Sequence, residues 1–350
     1  MIFGARPLIG LDIGSSFIKA VQIKDVKGSY ELSLFDMIPI APELIVDGSV
    51  IDSMRLMDFL KELKSKARVK TKDCVLSMSG HSSVIIKRIA LPEMSEEELA
   101  ESISFEAEQY VPFDIDDVNI DFQILGPKEE PGQMDVILVA VKKDIINEFV
   151  TVAKDAGFNP TIVDVDAFAL ENMYEVNYDI VPEANTVIVN IGASTITLNI
   201  LKGGVSAFTR DSAIGGNIIT EAIQKEFNVS YDDAEKLKLG ESLENVSQDE
   251  AMSIVYSASE DIFTEVSRSI DYFRSTSMQE EINEVVLCGG CALIKNFDEM
   301  LAERINVNVS LVEPFRNVRI PDKMDSSYIK EMAPMAAVAV GLALRRHGDR

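Results

Sequence analysis

The sequence predicts an α/β protein whose two related lobes face each other across one cleft. The main observation is an internal repeat, because residues 9–23 read IGLDIGSSFIKAVQI and residues 187–201 read VIVNIGASTITLNIL. Each copy runs from an apolar strand through Ile-Gly and small residues into an alternating strand, which is the pattern of a β-hairpin. A second observation is a strand that ends in Gly-Gly, NEVVLCGGC at residues 283–291. A motif repeated half a chain apart indicates duplicated lobes.

The turns of the two hairpins are small and rich in hydroxyl groups. They read Gly14-Ser15-Ser16 and Gly192-Ala193-Ser194-Thr195. Glycine allows successive N–H groups to point outward and a ligand to approach closely, and serine hydroxyls add donors. A carboxylate at the strand end, Asp12, can hold a hydrated Mg²⁺ that faces phosphates. A plain glycine turn is the alternative for either copy alone, but two copies favour a pair of turns that hold one polyphosphate.

Composition and charge narrow the class of protein. Of the 350 residues, 47% are hydrophobic and 26% are charged, which is ordinary for a soluble globular chain. Asp and Glu number 58 against 33 Lys and Arg, and a formal charge of -25 repels nucleic acids and anionic lipids. The three cysteines, Cys74, Cys288 and Cys291, form no disulfide framework and suit a reducing cytoplasm. The longest apolar stretch, residues 332–344, is too short to span a bilayer.

The Gly-Gly element predicts a place for a flat ring. Residues 283–291 read as a buried strand, and a helix is predicted over residues 292–305. Adenine can lie against Gly289 and Gly290 because no Cβ stands in the way. The Cys-x-x-Cys spacing of Cys288 and Cys291 also allows a redox or metal pair. However, both intervening residues are Gly, and the sequence offers no second pair of ligands.

The region between the second hairpin and the Gly-Gly element predicts helices. Gly215 and Gly216 precede a helical pattern, and a second short helix carries Glu235 and Lys238, which can reach a ribose or a base. A solvated helix face is the alternative for these two side chains. Two Ala-rich helices are predicted over residues 163–176 and 333–345. Small residues let helix axes approach closely, so the two helices are either a hinge or simply closely packed.

These elements, in this order, resemble the actin-like ATPase superfamily. Within it, the chain is similar to the PilM family of type IV pilus assembly proteins. The similarity is carried by FEAEQYVPFDIDDVNIDFQIL at residues 105–125 and by residues 208–240 and 333–345. The resemblance implies ATP and Mg²⁺ in the cleft, with Asp12 and Asn190 holding the metal through water. The nucleotide-binding residues it implies are Asp12, Gly14, Ser15, Ser16, Lys19, Asn190, Gly192, Ala193, Ser194, Thr195, Gly215, Gly216, Glu235, Lys238, Gly289 and Gly290.

The resemblance also implies four subdomains, arranged as in the FtsA family. The expected boundaries are 1–35, 153–185 and 326–350 for the first core subdomain, 36–152 for an inserted one, 186–213 and 283–325 for the second core, and 214–282 for a small helical one. The resemblance implies that the insert is a strand-helix-strand unit of the FtsA (SHS2) type. Its sequence fits, with alternating stretches over 75–91, strands over 118–125 and 135–141, and a capping box at Ser95-x-x-Glu98.

PilM-like proteins are scaffolds that hold the short cytoplasmic N-terminal tail of PilN, an inner-membrane protein. The resemblance therefore implies a cytoplasmic protein that reaches the inner membrane through partners, with other pilus platform proteins and self-association as further contacts. A groove for the tail needs exposed apolar residues. The sequence nominates residues 110–125, and within them Tyr110, Val111, Pro112 and Phe113. Core packing of these four residues is the alternative.

The sequence departs from the superfamily pattern at the second hairpin. Most members have Asp where this chain has Asn190, and an amide cannot supply the negative charge that holds Mg²⁺ or orders an attacking water. Cys291 also replaces a usual small residue after Gly-Gly. Asp12, Asp164 and Asp166 are the candidate catalytic carboxylates. We expect nucleotide binding with slow or absent hydrolysis, so that ATP stabilises the closed cleft by mass action.

Two other functions remain open at this level. A small-molecule kinase of the same superfold needs a buried catalytic Asp and polar sugar ligands in its own insert, and no such constellation is found in residues 36–152. An FtsA-like division protein attaches to the membrane through a C-terminal amphipathic helix. Residues 345–350, which follow the last predicted core helix, do not read as one. We therefore expect membrane location through a partner.

Overall fold

The computed structural model describes residues 7–46, 48–128, 130–277 and 280–349. Residues 1–6 and 350, which belong to the predicted first core subdomain, lie outside the described residues. The strands of the described residues are β1 (Ile9–Ile13), β2 (Phe17–Val26), β3 (Ser29–Pro39), β4 (Ile45–Val46), β5 (Ser49–Val50), β6 (Asp73–Met78), β7 (Val84–Pro92), β8 (Val118–Pro127), β9 (Gln133–Lys142), β10 (Asn159–Val165), β11 (Asn185–Ile191), β12 (Ile196–Lys202), β13 (Val205–Ser212), β14 (Glu284–Cys288), β15 (Val309–Leu311) and β16 (Val318–Arg319).

The α-helices lie between these strands. They are α1 (Ser53–Lys66), α2 (Glu96–Ala107), α3 (Lys143–Asp155), α4 (Asp166–Asn177), α5 (Asn217–Phe227), α6 (Tyr231–Lys238), α7 (Gln248–Thr276), α8 (Phe297–Ile305), α9 (Ser326–Met332) and α10 (Ala337–Ala343). Short 3₁₀ turns occupy Ile115–Asp117, Gly290–Leu293 and Ala333–Ala336. Among the described residues, no helix combines the length and apolar character needed to cross a membrane.

Two sheets share the same arrangement of five strands, to which the first sheet adds β16 in parallel beside β3. In the first, β1, β2 and β3 form an antiparallel meander, and β6 and then β10 add in parallel on the other side of β1. In the second, β11, β12 and β13 form the meander, and β14 and then β15 add in parallel. The duplication predicted from the repeated motif is therefore confirmed, and each copy of the motif is the first hairpin of its sheet.

The helices α4 and α10 lie at the junction between the lobes. One buried cluster contains Ala169 of α4, Leu342 of α10, Val75 of the first sheet and Val286 of the second. A Cβ on Gly341 would lie 1.7 Å from the carbonyl oxygen of Ala169, so only glycine allows this close crossing. Close packing of the two Ala-rich segments is thus observed, whereas pivoting about them stays a prediction.

The predicted limits of three helices are wrong. Residues 163–165 continue β10, because Val163 pairs with Leu76 and Val165 with Met78, so α4 starts only at Asp166. The segment 333–345 is a 3₁₀ turn followed by the shorter α10. The helix expected from 292 starts at Phe297, because a 3₁₀ turn follows Gly289 and Asn296 then adopts a left-handed φ of 59°.

The third sheet, with the order β7, β9, β8, carries the helix α2 and has its own buried core. The capping box of Ser95 and Glu98 at the start of α2 is confirmed. This unit spans residues 84–142, whereas the predicted insert of 36–152 also contains β6, which is a central strand of the first sheet. It likewise contains α1 and α3, whose buried residues belong to the first-lobe core. We therefore propose 84–142 as the insert.

Candidate functional site

The two hairpin turns have the same backbone geometry. The N–H of Gly14 donates to the carbonyl of Phe17 over 3.0 Å, and the N–H of Gly192 donates to the carbonyl of Thr195 over 2.9 Å. The turns face each other, since the hydroxyl oxygens of Ser15 and Ser194 lie 2.7 Å apart and share a hydrogen bond. Two glycine turns from separate lobes therefore meet at one point.

A cavity of about 250 Å³ opens at this meeting point. All the nucleotide-binding residues predicted from the sequence line it except Gly215. They are Asp12, Gly14, Ser15, Ser16, Lys19, Asn190, Gly192, Ala193, Ser194, Thr195, Gly216, Glu235, Lys238, Gly289 and Gly290. The cavity lies between the lobes, as the sequence predicts.

Gly215 supports the second turn instead of lining the cavity. A Cβ at this position would lie 2.6 Å from the carbonyl oxygen of Gly192. The following N–H groups cap the turn, because Gly216 donates to Gly192 over 2.9 Å and Asn217 donates to Ala193 over 2.8 Å. The start of α5 thus fixes the turn carbonyls, which leaves the other side of the turn facing the cavity.

The two strand ends differ in charge. Asp12 is buried and accepts a 2.8 Å hydrogen bond from the ammonium of Lys19, its partner across the hairpin. The equivalent position in the second hairpin is Asn190, whose partner is Thr197, so that end is neutral. The register of the hairpin places Asp12 opposite Lys19, which accounts for their pairing.

The donor set fits a metal held through water better than one bound directly. Asp12 already uses one carboxylate oxygen for Lys19, and Asn190 offers an uncharged amide. Within the described ranges, no group of three or more His, Cys, Asp or Glu residues is placed to hold a metal ion. A Mg²⁺ at this site would therefore depend on ligand phosphates and water for most of its coordination.

Of the two further carboxylates predicted for catalysis, one lines the cavity. Asp166 begins α4 at the cavity wall. Burial, and then the charge of Asp12, raise the pKa of Asp166 to about 7, although hydrogen bonds from Ser77 and Ser79 oppose the rise.

Asp164 does not line the cavity, so its position gives no support to the catalytic role predicted for it. Its buried carboxylate is paired with the guanidinium of Arg345, near the C-terminal end. Burial raises the pKa of Asp164, while the charge of Arg345 opposes the rise. The physical reason for the difference is that Asp164 lies in β10 and Asp166 in the helix that follows, so the two carboxylates point to different places.

The side chains of α6 form a buried polar network at the cavity. Lys238 is 6% exposed and donates to the hydroxyl of Thr220 over 2.9 Å and to the carboxylate of Glu235 over 2.5 Å. Thr220 also donates to Glu235. Lys238 therefore does not lie on a solvated helix face, which was the alternative. The hydrogen bonds of this network connect α6 to α5.

The Gly-Gly element has one glycine that the fold needs and one that faces the cavity. Gly289 has a φ of 91°, and a Cβ there would lie 2.3 Å from the carbonyl oxygen of Ile191. Gly290 has no heavy atom within 4 Å of an added Cβ. Cys288 and Cys291 are both buried, and burial raises the pKa of the Cys291 thiol to about 11, which disfavours the reactive thiolate.

Sequence reasoning missed a set of apolar side chains in the lining of the same cavity, which we call the apolar recess. It is lined by Phe17, Ile45, Met78, Ile145 and Phe149. Ile145 and Phe149 are one turn apart on the buried side of α3, so in the sequence they read as ordinary core residues. The shape that leaves space beside them depends on packing between distant segments.

The segment nominated for a partner groove mostly packs inward. Val111 is 6% exposed and belongs to the core of the third sheet, against which Tyr110 and Phe113 also pack. The ammonium of Lys142 covers the Phe113 ring at 4.5 Å. Only Pro112 is exposed. Most of this segment therefore packs into the core of the third sheet, which was the alternative to a partner groove.

Comparison with known proteins identifies the relatives of the chain. The family model described as type IV pilus assembly protein PilM matches residues 10–347. A solved PilM-PilN type IV pilus biogenesis complex is similar, with a TM-score of 0.84 and 28% identity over 97% of this chain and 98% of that one.

Two further solved structures show the fold alone. The ethanolamine utilization protein EutJ from Carboxydothermus hydrogenoformans has a TM-score of 0.59 and 16% identity over 97% of this chain and 92% of that one. MreB5 of Spiroplasma citri, bound to ADP, has a TM-score of 0.53 and 17% identity over 96% and 94%. The fold is therefore the α/β actin-like ATPase fold predicted from the sequence.

Proposed function

Because the chain belongs to the type IV pilus assembly protein PilM family, we propose that it is an ATP-binding cytoplasmic scaffold of a pilus assembly platform. The observation that carries the nucleotide proposal is the 2.7 Å contact between Ser15 and Ser194. It brings the N–H groups and hydroxyls of two glycine turns to one point, where a triphosphate can accept hydrogen bonds from both lobes. Solved MreB5 structures of the same fold hold ADP and AMPPNP.

Each part of the cavity has a role in this proposal. The turns donate to phosphate oxygens, and Lys19 offsets part of the phosphate charge. The base lies over Gly290, and Glu235 and Lys238 bind the ribose. Mg²⁺, when bound, would neutralise the remaining phosphate charge, with Asp12 and Asn190 holding its water ligands.

In this proposal hydrolysis is slow because the cavity offers little negative charge to hold Mg²⁺ or to order an attacking water. Asn190 carries no charge, the charge of Asp12 is offset by Lys19 at 2.8 Å, and the raised pKa of Asp166 leaves this group partly protonated near pH 7. ATP would then stabilise the closed form by binding.

Calorimetry and a turnover assay on one preparation test the nucleotide proposal. We expect saturable ATP binding with little phosphate release, and faster release in Asn190→Asp, which restores a negative charge near the metal. Asn119→Asp is the matched control, because it adds the same charge at an exposed residue of β8 that does not line the cavity. Rapid hydrolysis by the unmodified chain that Asn190→Asp leaves unchanged would contradict the proposal.

The proposed partner is the N-terminal tail of a PilN protein, because the similar complex pairs PilM with PilN. We propose the apolar recess as its site in preference to Tyr110, Val111, Pro112 and Phe113. The residues of the recess line the cavity, whereas none of those four residues does. Membrane contact would come through PilN, because the negative surface of the inner leaflet repels a chain with a formal charge of -25.

A synthetic PilN tail peptide distinguishes the two places. Ile145→Phe adds volume to the recess wall and should weaken peptide binding, while Pro112→Glu, at the exposed residue of the other segment, should not. Thermal unfolding of both variants checks that the fold is kept. Loss of peptide binding in Pro112→Glu alone would move the site back to residues 110–113. Absence of binding to the unmodified chain would remove the PilN proposal.

A further inference from the structure

We infer that residues 61–72, which we call the basic stretch, bind the anionic headgroups of a lipid bilayer and so orient the chain on the membrane. The inference goes beyond the proposed function and rests on it only for bringing the chain to a membrane through its partner. The basic stretch reads KELKSKARVKTK. Six of these residues are Lys or Arg and one is acidic, in a chain that has 58 acidic and 33 basic residues.

Four of the six cations of the basic stretch are exposed, and none of the four forms an ion pair within the part of the chain that the structure describes. They are Lys61, Arg68, Lys70 and Lys72. The other two are used within the fold. Lys66 pairs with Asp36 over 2.8 Å, and the ammonium of Lys64 donates to the carbonyl of Gly157. The four exposed cations are therefore available to a partner.

The exposed cations lie close together, at the end of α1 and in the segment that leads to β6. From residue 68 to residue 72, exposed and half-buried positions alternate, as in an extended segment, so Arg68, Lys70 and Lys72 share one side of it. Burial, and then the charge of Lys72, lower the pKa of Lys64, so these two ammonium groups repel each other. Binding of an anion would relieve this repulsion.

Arg68 keeps a side chain where the backbone favours glycine. It follows Ala67, the last residue of the α1 cap, and its φ of 49° lies in the left-handed region. Its N–H donates to the carbonyl of Ser65 over 3.2 Å and closes the end of the helix. Glycine is the usual residue for this conformation at a helix end. An arginine that strains the backbone here points to a role outside folding.

An anionic bilayer fits the basic stretch because the stretch is an exposed surface and not part of the cavity. Anionic leaflets attract clusters of Lys and Arg. At about 0.1 M salt, charges act over a Debye length of about 10 Å. A chain of 350 residues has a radius of gyration of about 20 Å, so acidic groups on its far side add little repulsion. The partner thus brings an acidic chain to the membrane, and the basic stretch decides which side faces the lipid.

Cosedimentation of the full chain with vesicles tests the inference. Vesicles of phosphatidylglycerol and phosphatidylcholine in equal parts are compared with vesicles of phosphatidylcholine alone at about 0.1 M salt. We expect binding to the first kind only, and its loss at about 1 M salt, where the Debye length falls to about 3 Å. Lys70→Gln with Lys72→Gln should weaken binding about thirty-fold, because each cation near an anionic bilayer contributes a factor of about five.

Two further variants complete the test. Lys225→Gln with Lys295→Gln is the matched control, because it removes the same charge from two exposed lysines of the second lobe, and it should leave vesicle binding unchanged. Arg68→Gly removes a cation at a position where the backbone favours glycine. It should therefore weaken vesicle binding about five-fold while thermal stability stays equal or rises.

The possible results separate the inference from the proposed function. No binding to phosphatidylglycerol vesicles, equal binding to phosphatidylcholine alone, or equal losses in the two double variants would overturn the inference. Binding of polyglutamate instead of vesicles, lost in Lys70→Gln with Lys72→Gln, would assign an acidic protein partner and also overturn it. The proposed function is tested by nucleotide and by the tail peptide without vesicles, so it stands or falls separately.

Discussion

The carboxylate of Asp211 in the second lobe accepts a 2.6 Å hydrogen bond from the backbone N–H of Gly80 in the first. Gly80 lies between β6, whose end lines the cavity, and β7, which is the first strand of the third sheet. Burial raises the pKa of Asp211, and the Gly80 N–H and the Thr197 hydroxyl oppose the rise by hydrogen bonding. This bond therefore joins the second lobe to the segment that connects the cavity with the insert.

Removing this acceptor should destabilise the chain. Asp211→Ala leaves the N–H of Gly80 without its carboxylate and should lower the free energy of unfolding by about 1–3 kcal/mol. Asp211→Asn keeps an oxygen acceptor of the same shape and should cost less. Urea unfolding of the three proteins measures the difference. Equal losses in both variants would show that charge, and not the hydrogen bond, matters at this contact.

The two neighbouring glycines of the Gly-Gly element should respond differently to substitution. Gly290→Val places methyl groups in the cavity without a clash in the fold, so nucleotide affinity should fall more than about ten-fold, or about 1.4 kcal/mol, at unchanged thermal stability. Gly289→Ala forces a side chain into a left-handed backbone against Ile191 and should cost at least about 1–3 kcal/mol of stability. Calorimetry with AMPPNP and thermal unfolding together check both. Unchanged AMPPNP affinity in Gly290→Val would argue against a base at this glycine.

The pair of Asp164 and Arg345 should matter for folding and not for turnover. Arg345→Met leaves the carboxylate of Asp164, which is 4% exposed as a side chain, buried without its cation, and should cost about 3–5 kcal/mol. The double variant Asp164→Asn with Arg345→Met removes both charges and should recover part of that loss. Denaturant midpoints measure the recovery. If the double variant is as unstable as Arg345→Met alone, the buried charge is not the cause.

Stability should fall as pH rises through the range set by Asp166. The pKa of this carboxyl rises from its ordinary 3.8 to about 7 in the folded chain, so between these values the folded state binds more protons than the unfolded state. The free energy of unfolding then decreases with rising pH, because the slope follows protons bound in the unfolded state minus those bound in the folded state.

Asp166→Asn isolates this contribution. The variant should match the unmodified chain near pH 4 and exceed its stability above pH 7, as measured by urea unfolding across that range. Burial also raises the pKa of Glu171 to about 7, but Glu171 is present in both proteins and cancels in the difference. Parallel curves for the two proteins would mean that the pKa of Asp166 is not raised.

The sequence predicted the parts of the fold that depend on local pattern. The two hairpins, their glycine turns and the capping box at Ser95 follow from residue spacing, and the structure has all of them. It also predicted the pairing of two turns at one cavity, because the repeat implied duplicated lobes. Gly215 was predicted to bind the nucleotide but does not line the cavity. Its contact with Gly192 depends on where α5 meets the turn, which no local pattern shows.

The sequence could not predict features that depend on where a strand or helix ends, or on packing between segments that are far apart in the chain. Asp164 and Asp166 are two residues apart, and only the end of β10 between them decides which one faces the cavity. Residues 163–165 have a composition that suits either helix or strand, and pairing with β6 decides for strand. The apolar recess is formed by segments separated by about a hundred residues in the chain, such as Ile45 and Ile145, so no local pattern reveals it.

The charge difference between the two hairpins gives the cleft a direction. Duplicated lobes would by themselves make a pseudo-symmetric cavity in which an elongated ligand could lie either way round. The ion pair of Asp12 and Lys19 belongs to one lobe only, while the Lys238 network and the open face of Gly290 belong to the other. We therefore expect the two ends of a bound molecule to be distinguished, so that a chain with two similar halves accepts its ligand in a single orientation.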